Sequence, residues 1–413
     1  MEIVKSKKNR NLKIIFISLI LILLGIFVLL NFLPANRQAS QQKTQNPPAV
    51  QPKPKPTARI MAHGDLLYHN IVYMSARSAD GKYDFTENFE FVKPWIEKAD
   101  LAIADFEGTI SPNRKLGGYP LFNAPPEVVS AIKNAGYDVV DLAHNHILDS
   151  GLEGLISTDK IFKENGIDTV GVFAEKPRSQ SQILVKNING IKVAILAYSY
   201  GFNGMEAGLS QADCDNYLSD LNEEKMREEI MRAEEIADAT IVMPQMGNEY
   251  QLQPTAGQIE LYRKMVDWGA DVVLGGHPHV AEPAEIIQKN GDKKLIIYSM
   301  GNFLSNQRIE TLADITANAK WTERGVLVDF TLEKDGDKTI IKTAEARPTW
   351  VNRTPKGARS PGGIALYKYQ TIILEDFIEG GKHRSLLDTQ TQVRIDSAYS
   401  EMNDFMKLKF SAE

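Results

Sequence analysis

Residues 271–283 read DVVLGGHPHVAEP and hold two of the chain's seven histidines within three positions. The apolar run Val272-Val273-Leu274, stopped by Gly275-Gly276, reads as a buried strand spilling into a loop. Residues two apart in extended backbone project to the same side, so His277 and His279 aim both imidazoles at one point. Pro278 stiffens the backbone between them. Paired imidazoles of this kind bind a metal ion. The bland alternative is a strand-end loop in which two histidines fall together, and the rest of the chain has to decide.

Polar groups recur wherever an apolar run stops. The first strand-like run ends Gly64-Asp65 and the second Asp105-Phe106-Glu107-Gly108. The third ends His144-Asn145-His146, with Asp149 and Gly151 just beyond. Further along come Gln245-Met246-Gly247-Asn248-Glu249, and LIIYS runs into Met300-Gly301-Asn302-Phe303. In open α/β sheets ligands gather at the carboxyl ends of strands. Asp, Glu, Asn and His form a hard-to-borderline donor set that suits Mn²⁺, Zn²⁺ or Fe. Two such ions about 3.5–4 Å apart share a hydroxide and clamp a phosphoryl group. A carboxylate bridges them with its two oxygens, and an imidazole off the metal protonates a leaving oxygen. Each residue also has a plainer role open to it. Asp65 fits a turn, Glu107 a solvated loop, Asn145 a helix cap and His146 a local backbone contact, while Glu249 is evenly open. Asp149 is expected to cap or orient helix 151–166. His69 and His383 read as surface or loop residues, and Cys214 as inert.

The elements that must position these groups alternate. Strand-like runs at 58–65, 100–108 and 137–145 are separated by helical patterns at 88–98 and 125–136, and a third helix covers 151–166. Asn189-Gly190, Asn290-Gly291 and Asp335-Gly336 lie between β-rich runs and signal hairpins. Between the first two come helix 222–236, strand 238–246, helix 255–268 and strand 270–276. The mixture predicts an α/β domain over 58–350, with parallel βαβ units, antiparallel hairpins and helices on the outer faces. A C-terminal extension, 351–413, carries an amphipathic helix near 393–409.

The N-terminus differs. Ile14 to Leu33 is twenty residues without a charge, long enough to cross a bilayer as a helix. Lys5, Lys7, Lys8, Arg10 and Lys13 make 1–13 a basic tail that stays cytoplasmic. A cleaved signal peptide has a shorter apolar core and a small-residue site. An uncleaved signal-anchor is therefore expected, followed by a Pro/Gln/Lys-rich stalk over 34–57. This places a single-pass protein in the cell membrane with its C-terminal domain extracellular. Of 47 basic and 53 acidic residues, nine and one precede Ala58, leaving 38 against 52, a net charge of −14. That excludes nucleic-acid binding by bulk electrostatics, and a polyanion needs a metal ion or a local patch to be drawn in. With one cysteine, no intramolecular disulfide forms.

Together these motifs resemble the CapA-type family associated with bacterial poly-γ-glutamate capsule synthesis, whose domain resembles calcineurin-like metallophosphoesterases. The family pattern has Gly-Asp after the first strand, matched by Gly64-Asp65, then Asn-x-Glu, here Asp105-Phe106-Glu107. Next is Asn-Asn-His-x-x-Asp-x-Gly, here His144 to Gly151, and His-x-Gly-x-Glu-Tyr, here Gln245 to Tyr250. Gly-x-His-Pro-His is kept as Gly275 to His279, and Tyr-Ser-x-Gly-Asn-Phe as Tyr298 to Phe303. The resemblance covers roughly 58–310. It implies a metallophosphoesterase-like α/β/β/α sandwich of mixed sheets, preceded by a single transmembrane helix. It also implies a membrane-anchored accessory in synthesis or export of a surface polymer, working with polymer-synthase membrane partners. The alternative is a hydrolase acting on a phosphoester. Asp65, Glu107, Asn145, His277 and His279 would then hold one or two divalent ions, and His146 would assist the leaving group. Three positions depart from the pattern: Gln245 stands for a metal-binding histidine, Asp105 for an asparagine and His144 for another. A glutamine amide is a weak ligand, so one of the ions is expected to bind poorly or not at all. His144 is not expected to replace the imidazole, because neighbours on a strand face opposite ways.

Overall fold

The computed structural model describes the backbone of residues 3–32 and 54–411, with the side chains of 14–28 and 54–411. It divides into two units, Met1–Pro54 and Lys55–Glu413. In the first, Ile3–Phe32 forms one 30-residue helix, and its described side chains, Ile14 to Val28, are all exposed. Among the described residues no helix is long and apolar enough to cross a membrane. The side chains of 29–33, which complete the apolar run, and the stretch through residue 53 lie outside the described residues.

Among the described residues the second unit is built on fifteen strands. They are β1 (Thr57–Leu67), β2 (Leu101–Glu107), β3 (Val139–Asp141), β4 (Asp168–Val170), β5 (Leu184–Ile188), β6 (Ile191–Ser199), β7 (Ala239–Gln245), β8 (Val272–Leu274), β9 (Ala281–Lys289), β10 (Asp292–Met300), β11 (Asn302–Leu304), β12 (Arg324–Asp335), β13 (Lys338–Arg359), β14 (Ala365–Ile373) and β15 (Lys409–Ser411). One sheet runs β14-β13-β12-β1-β2-β3-β4, with β11 also on β1 and β15 on β13; the other runs β5-β6-β7-β8-β10-β9. β1 to β4 are parallel, as are β6, β7, β8 and β10. The three Asx-Gly dipeptides that lie between β-rich runs, Asn189-Gly190, Asn290-Gly291 and Asp335-Gly336, turn the hairpins β5–β6, β9–β10 and β12–β13. Asn189, Gly190, Asn290 and Gly291 have the positive φ that a type I′ turn requires.

Period-2 alternation along the strands sorts side chains into layers. Ile60, Ala62, Leu101 and Ile103 of one sheet meet Val193, Ile195, Ile241 and Ile297 of the other in a buried core between the sheets. The opposite face of the first sheet, with Met61, Ala102, Ala104 and Phe106, is covered by Val128, Ile132, Leu155 and Phe162 of the helices Glu127–Ala135 and Gly151–Glu164. The outer face of the second, with Leu196, Val242 and Ile296, packs on Met226, Ile230, Tyr262 and Met265 of the helices Glu223–Ile236 and Ala256–Trp268. The result is a four-layer α/β/β/α arrangement.

Two elements differ from the sequence pattern. The helix expected at 88–98 is a 3-10 turn, Thr86–Phe89, and a single turn, Lys93–Ile96, because Pro94 cannot continue a helix begun before it. The position expected to bound a C-terminal extension, residue 350, falls inside β13. β14 and β15 join the same sheet, and helix Thr389–Met406 packs its buried Met402 and Met406 into the inter-sheet core.

Candidate functional site

The site is assembled where parallel strands of both sheets end. β1 pairs with β12 up to His63, then slips register and pairs with β11 at Asp65. The slip against β2 between His63 and Asp65 turns the Asp65 carboxylate toward the other sheet, the use to which such irregularities are put near active sites. At this level Asn302, Asp65, Asp105 and Asp141 lie side by side on four adjacent strands. Glu107 is one pleat further on. From the facing sheet, β7 delivers Gln245, and the loop after β8 delivers His277 and His279. Those two histidines have φ of 93° and 57°, and Tyr250 near His279 and Asn203 near His146 also have positive φ. Non-glycine residues held in this region carry strain of about 1–3 kcal/mol each and cluster at functional sites.

Gly276 shows how closely the strand ends meet. A Cβ there would lie 2.9 Å from Asp105 Oδ2, 3.5 Å from Asp65 Oδ1 and 3.9 Å from Gln245 Cγ. His279 Nδ1 is 2.8 Å from Asp65 Oδ2, 3.2 Å from Asn302 Oδ1 and 3.7 Å from Glu107 Oε2. The other Glu107 oxygen, Oε1, is 4.0 Å from His146 Nε2. His146 Nδ1 is 2.8 Å from Asp149 Oδ2, which also accepts the Phe122 N–H at 2.6 Å. That contact puts the hydrogen of the neutral ring on Nδ1 and leaves Nε2 as a base. Asp149 is thus the residue that orients His146. Helix Gly151–Glu164 has Ser150 at its N-cap without a side-chain cap bond, so capping, the role expected of Asp149, is not what it does.

Asp65, Glu107, Asn145, His277, His279 and His146 are all brought together, and all are buried. Glu249 is exposed, yet its charge is felt at Glu107, His277 and His279. His144 is packed away from the cluster. Its Nε2 faces the Gly108 N–H (3.3 Å) and its Nδ1 the His146 N–H (3.2 Å), so neither ring nitrogen faces an ion. Residues 142–149 form a turn rather than strand. Backbone contacts, not strand alternation, therefore settle its direction. His69 lies in the loop after β1 and is half-buried. Its ring edge meets Phe122, its Nδ1 receives the Asn306 N–H, and burial pushes its pKa down to about 4. His383 packs against Phe91 and Phe377, and Cys214 is half-buried. Asp141, Asn203, Tyr200 and Gln307 join the neighbourhood without having stood out in the sequence. Asp141 alone carried a signal, as an acid inside an apolar run.

Electrostatics follow from burial among like charges. Desolvation, then Asp141, Asp65 and Glu107, hold Asp105 well above the usual carboxylate range. Burial lifts Glu107 to about 7 against the pull of His279. For His279 burial opposes the charged form, but Glu107 and Asp65 outweigh it and raise the ring to about 10. Burial and the His279 charge push His277 down to about 3.

Buried atoms here without a hydrogen-bond partner include six on the expected ligands and Asp105: Asp65 Oδ1, Asp105 Oδ1, both Glu107 oxygens, Asn145 Oδ1 and His277 Nδ1. An unmade bond at a buried polar atom costs about 1–3 kcal/mol, and all six atoms are lone-pair donors of the kind a divalent cation collects. Asp65, Glu107 and His279 present ligand atoms within 4.8 Å of one another. The residues fit an ion. Gln245 does not add to the set. Its Oε1 accepts the Asn145 N–H at 2.7 Å, which leaves Nε2, a donor, as the atom without a partner.

Comparison with known proteins agrees with the motifs. A capsule biosynthesis protein CapA of Bacillus anthracis is 31% identical over 228 residues, 53% of this chain and 54% of that protein. The chain thus spans about half the length of that relative. A PGA biosynthesis protein CapA of Bacillus subtilis is 29% identical over 280 residues, 64% of this chain and 67% of its own. A probable polyglutamine synthesis accessory protein of Mycobacterium tuberculosis is 23% identical over 217 residues, half of this chain and 56% of that protein. Among solved structures, the calcineurin-like phosphoesterase YfkN of Bacillus subtilis aligns over 71% of this chain and 91% of its own, at 18% identity and a TM-score of 0.42. The family described as bacterial capsule synthesis protein PGA_cap matches residues 59–307, more than half of the sequence, and this chain belongs to that family.

Proposed function

We propose that the protein is an accessory of surface-polymer assembly, the polymer being of the poly-γ-glutamate type, and that its cleft holds a single divalent ion. The observation that carries the single ion is the orientation of Gln245. An amide whose oxygen is committed to the Asn145 N–H offers only a donor where a second ion needs a lone pair. Family membership supports the polymer role, and the two CapA relatives are named for capsule and PGA biosynthesis. The N-terminal helix, apolar from Ile14 and preceded by five basic residues, supports anchoring in the cell membrane with the Lys55–Glu413 unit outside, beside membrane-bound synthase partners.

Asp65, Glu107 and His279 would hold the ion, with Asn145 and His277 buried nearby. When bound, such an ion polarises an ester or carbonyl oxygen. His146, oriented by Asp149, holds its Nε2 base on the Glu107 side of the cleft. That pairing supports a second reading, hydrolysis of a phosphoester or related bond in an acidic polymer or its precursor. Deleting the gene in its own host tests the first reading: surface γ-glutamyl polymer should disappear and return on complementation. Polymer unchanged in the deletion strain would refute it. Elemental analysis of protein purified without chelators tests the ion count, with one ion expected in the natural chain and two in Gln245→His. Turnover of an activated phosphodiester only in Gln245→His would mark the natural cleft as a site that has lost hydrolysis.

A further inference from the structure

We propose that Asn302 is the fourth protein ligand of the ion, through its amide oxygen; the assignment rests on the divalent-ion reading above. Asn302 is completely buried and sits on β11 in register with Asp65 of β1. Both hydrogens of its amide nitrogen are used, one by Gln307 Oε1 at 2.8 Å and one by Thr322 O at 3.0 Å. Gln307 is itself fixed, because its own Nε2 donates to the Tyr250 hydroxyl at 3.2 Å. Turning the Asn302 amide over would leave the buried Thr322 O and the half-buried Gln307 Oε1 without donors, so the amide is locked with Oδ1 facing His279 Nδ1 at 3.2 Å.

The arrangement around that nitrogen is the second observation. Three acceptors face His279 Nδ1: Asp65 Oδ2, Asn302 Oδ1 and Glu107 Oε2. An imidazole nitrogen carries one hydrogen at most, and one hydrogen does not serve three oxygens. A cation among the four atoms serves all of them. With an ion on Nδ1 the nitrogen no longer donates, and an Asn302 oxygen outside the coordination sphere would become a buried acceptor with nothing to accept. An amide carbonyl is an ordinary oxygen ligand for hard and borderline divalent ions. The ligand set becomes three oxygens and one nitrogen on the Asp65 side of Glu107, complete without Gln245. The chain Tyr250–Gln307–Asn302 then links the ligand set to a half-buried tyrosine beside the exposed Glu249.

The test uses the full chain in detergent, stripped with EDTA and titrated with Mn²⁺ by calorimetry. The wild type should take up one ion. Loss of an outer-shell partner already weakens metal binding about 10–100-fold, and Asn302→Ala should reach the upper end of that range or exceed it. Asn302→Asp keeps an oxygen in place and adds charge, so it should bind at least as tightly as the wild type. Asn302→Cys loaded with Co²⁺ should show a thiolate-to-cobalt charge-transfer band that the wild type, with Cys214, lacks. Only a side chain in the coordination sphere produces that band. Wild-type affinity in Asn302→Ala, with its apo unfolding temperature unchanged, would overturn the assignment. So would Co²⁺ bound to Asn302→Cys without the band. If the wild type binds neither Mn²⁺ nor Co²⁺, the ion reading falls and takes this assignment with it, a result distinct from undiminished uptake in the variants.

Discussion

His279 and Glu107 set the pH behaviour of the cleft. The ring titrates at about 10, above its ordinary 6.5, and the carboxyl at about 7, above its ordinary 4.5. In both, the folded ion-free protein holds a proton more tightly than the unfolded chain. Their contributions to stability are therefore present at low pH and decline as pH rises, that of Glu107 between 4.5 and about 7 and that of His279 between 6.5 and about 10. An ion needs both groups deprotonated, so binding releases protons and tightens over the same interval. The expected result is a gap in unfolding temperature between Mn²⁺-saturated and EDTA-treated protein that widens from about pH 6 to about pH 9. Calorimetry near pH 6 in buffers of different ionisation enthalpy should show about two protons released per ion. A gap that is constant or narrows with pH would mean that these two groups are not the ones the ion displaces.

The strands and loops place these residues through a few close backbone approaches, and glycines show which ones tolerate change. At Gly64 and Gly275 an added Cβ would lie 2.0 Å from a backbone oxygen, Gly301 O and Tyr298 O respectively. Neither oxygen moves without breaking the pairing of β1 with β11 or of β8 with β10. At Gly276 the nearest atom belongs to a side chain, Asp105 Oδ2. Gly276→Ala should therefore fold, with an overpacking cost of about 1–3 kcal/mol, yet lose Mn²⁺ binding because Asp105 and Asp65 are pushed aside. Gly64→Ala and Gly275→Ala should fail to give folded protein. Thermal unfolding and ion titration of the three variants check this, and full Mn²⁺ affinity in Gly276→Ala would contradict the convergence. Much of this scale was legible in the sequence. Helices 125–136, 151–166, 222–236 and 255–268 lie within two residues of the observed ones, and the Asx-Gly dipeptides at 189–190, 290–291 and 335–336 turn hairpins. Strands 137–145 and 270–276 shrink to Val139–Asp141 and Val272–Leu274, because beyond those points the backbone turns out of the sheet toward the cleft. Polar residues at strand ends announced the cleft. The Asn302–Gln307–Tyr250 chain and the Asp149 contact to His146 did not show, since they depend on which loops meet, and local periodicity carries no such information.

At the scale of the whole molecule, charge and apolarity are divided at the boundary between its two units. All four buried apolar clusters are formed by residues of Lys55–Glu413. Among the described residues that unit therefore holds a core of its own, and it is expected to fold without the N-terminal helix. The helix contributes instead a run of exposed Ile, Leu, Phe and Val between Ile14 and Val28, together with the basic residues before it. Exposed apolar side chains favour burial, at about 25 cal/mol per Å², and under the proposed membrane anchoring a bilayer would supply that surface. A chain beginning at Lys55 should then unfold at the same temperature as the full chain and stay in the supernatant after centrifugation of lysed cells. The full chain should sediment with membranes and resist extraction by alkaline carbonate, which strips proteins held by charge alone. Release of the full chain by carbonate would reduce the N-terminal segment to a peripheral, electrostatic contact. Sedimentation of the chain beginning at Lys55 would move the membrane contact to the folded unit, where a net charge of −14 from Ala58 onward makes attraction to an anionic bilayer the least expected outcome.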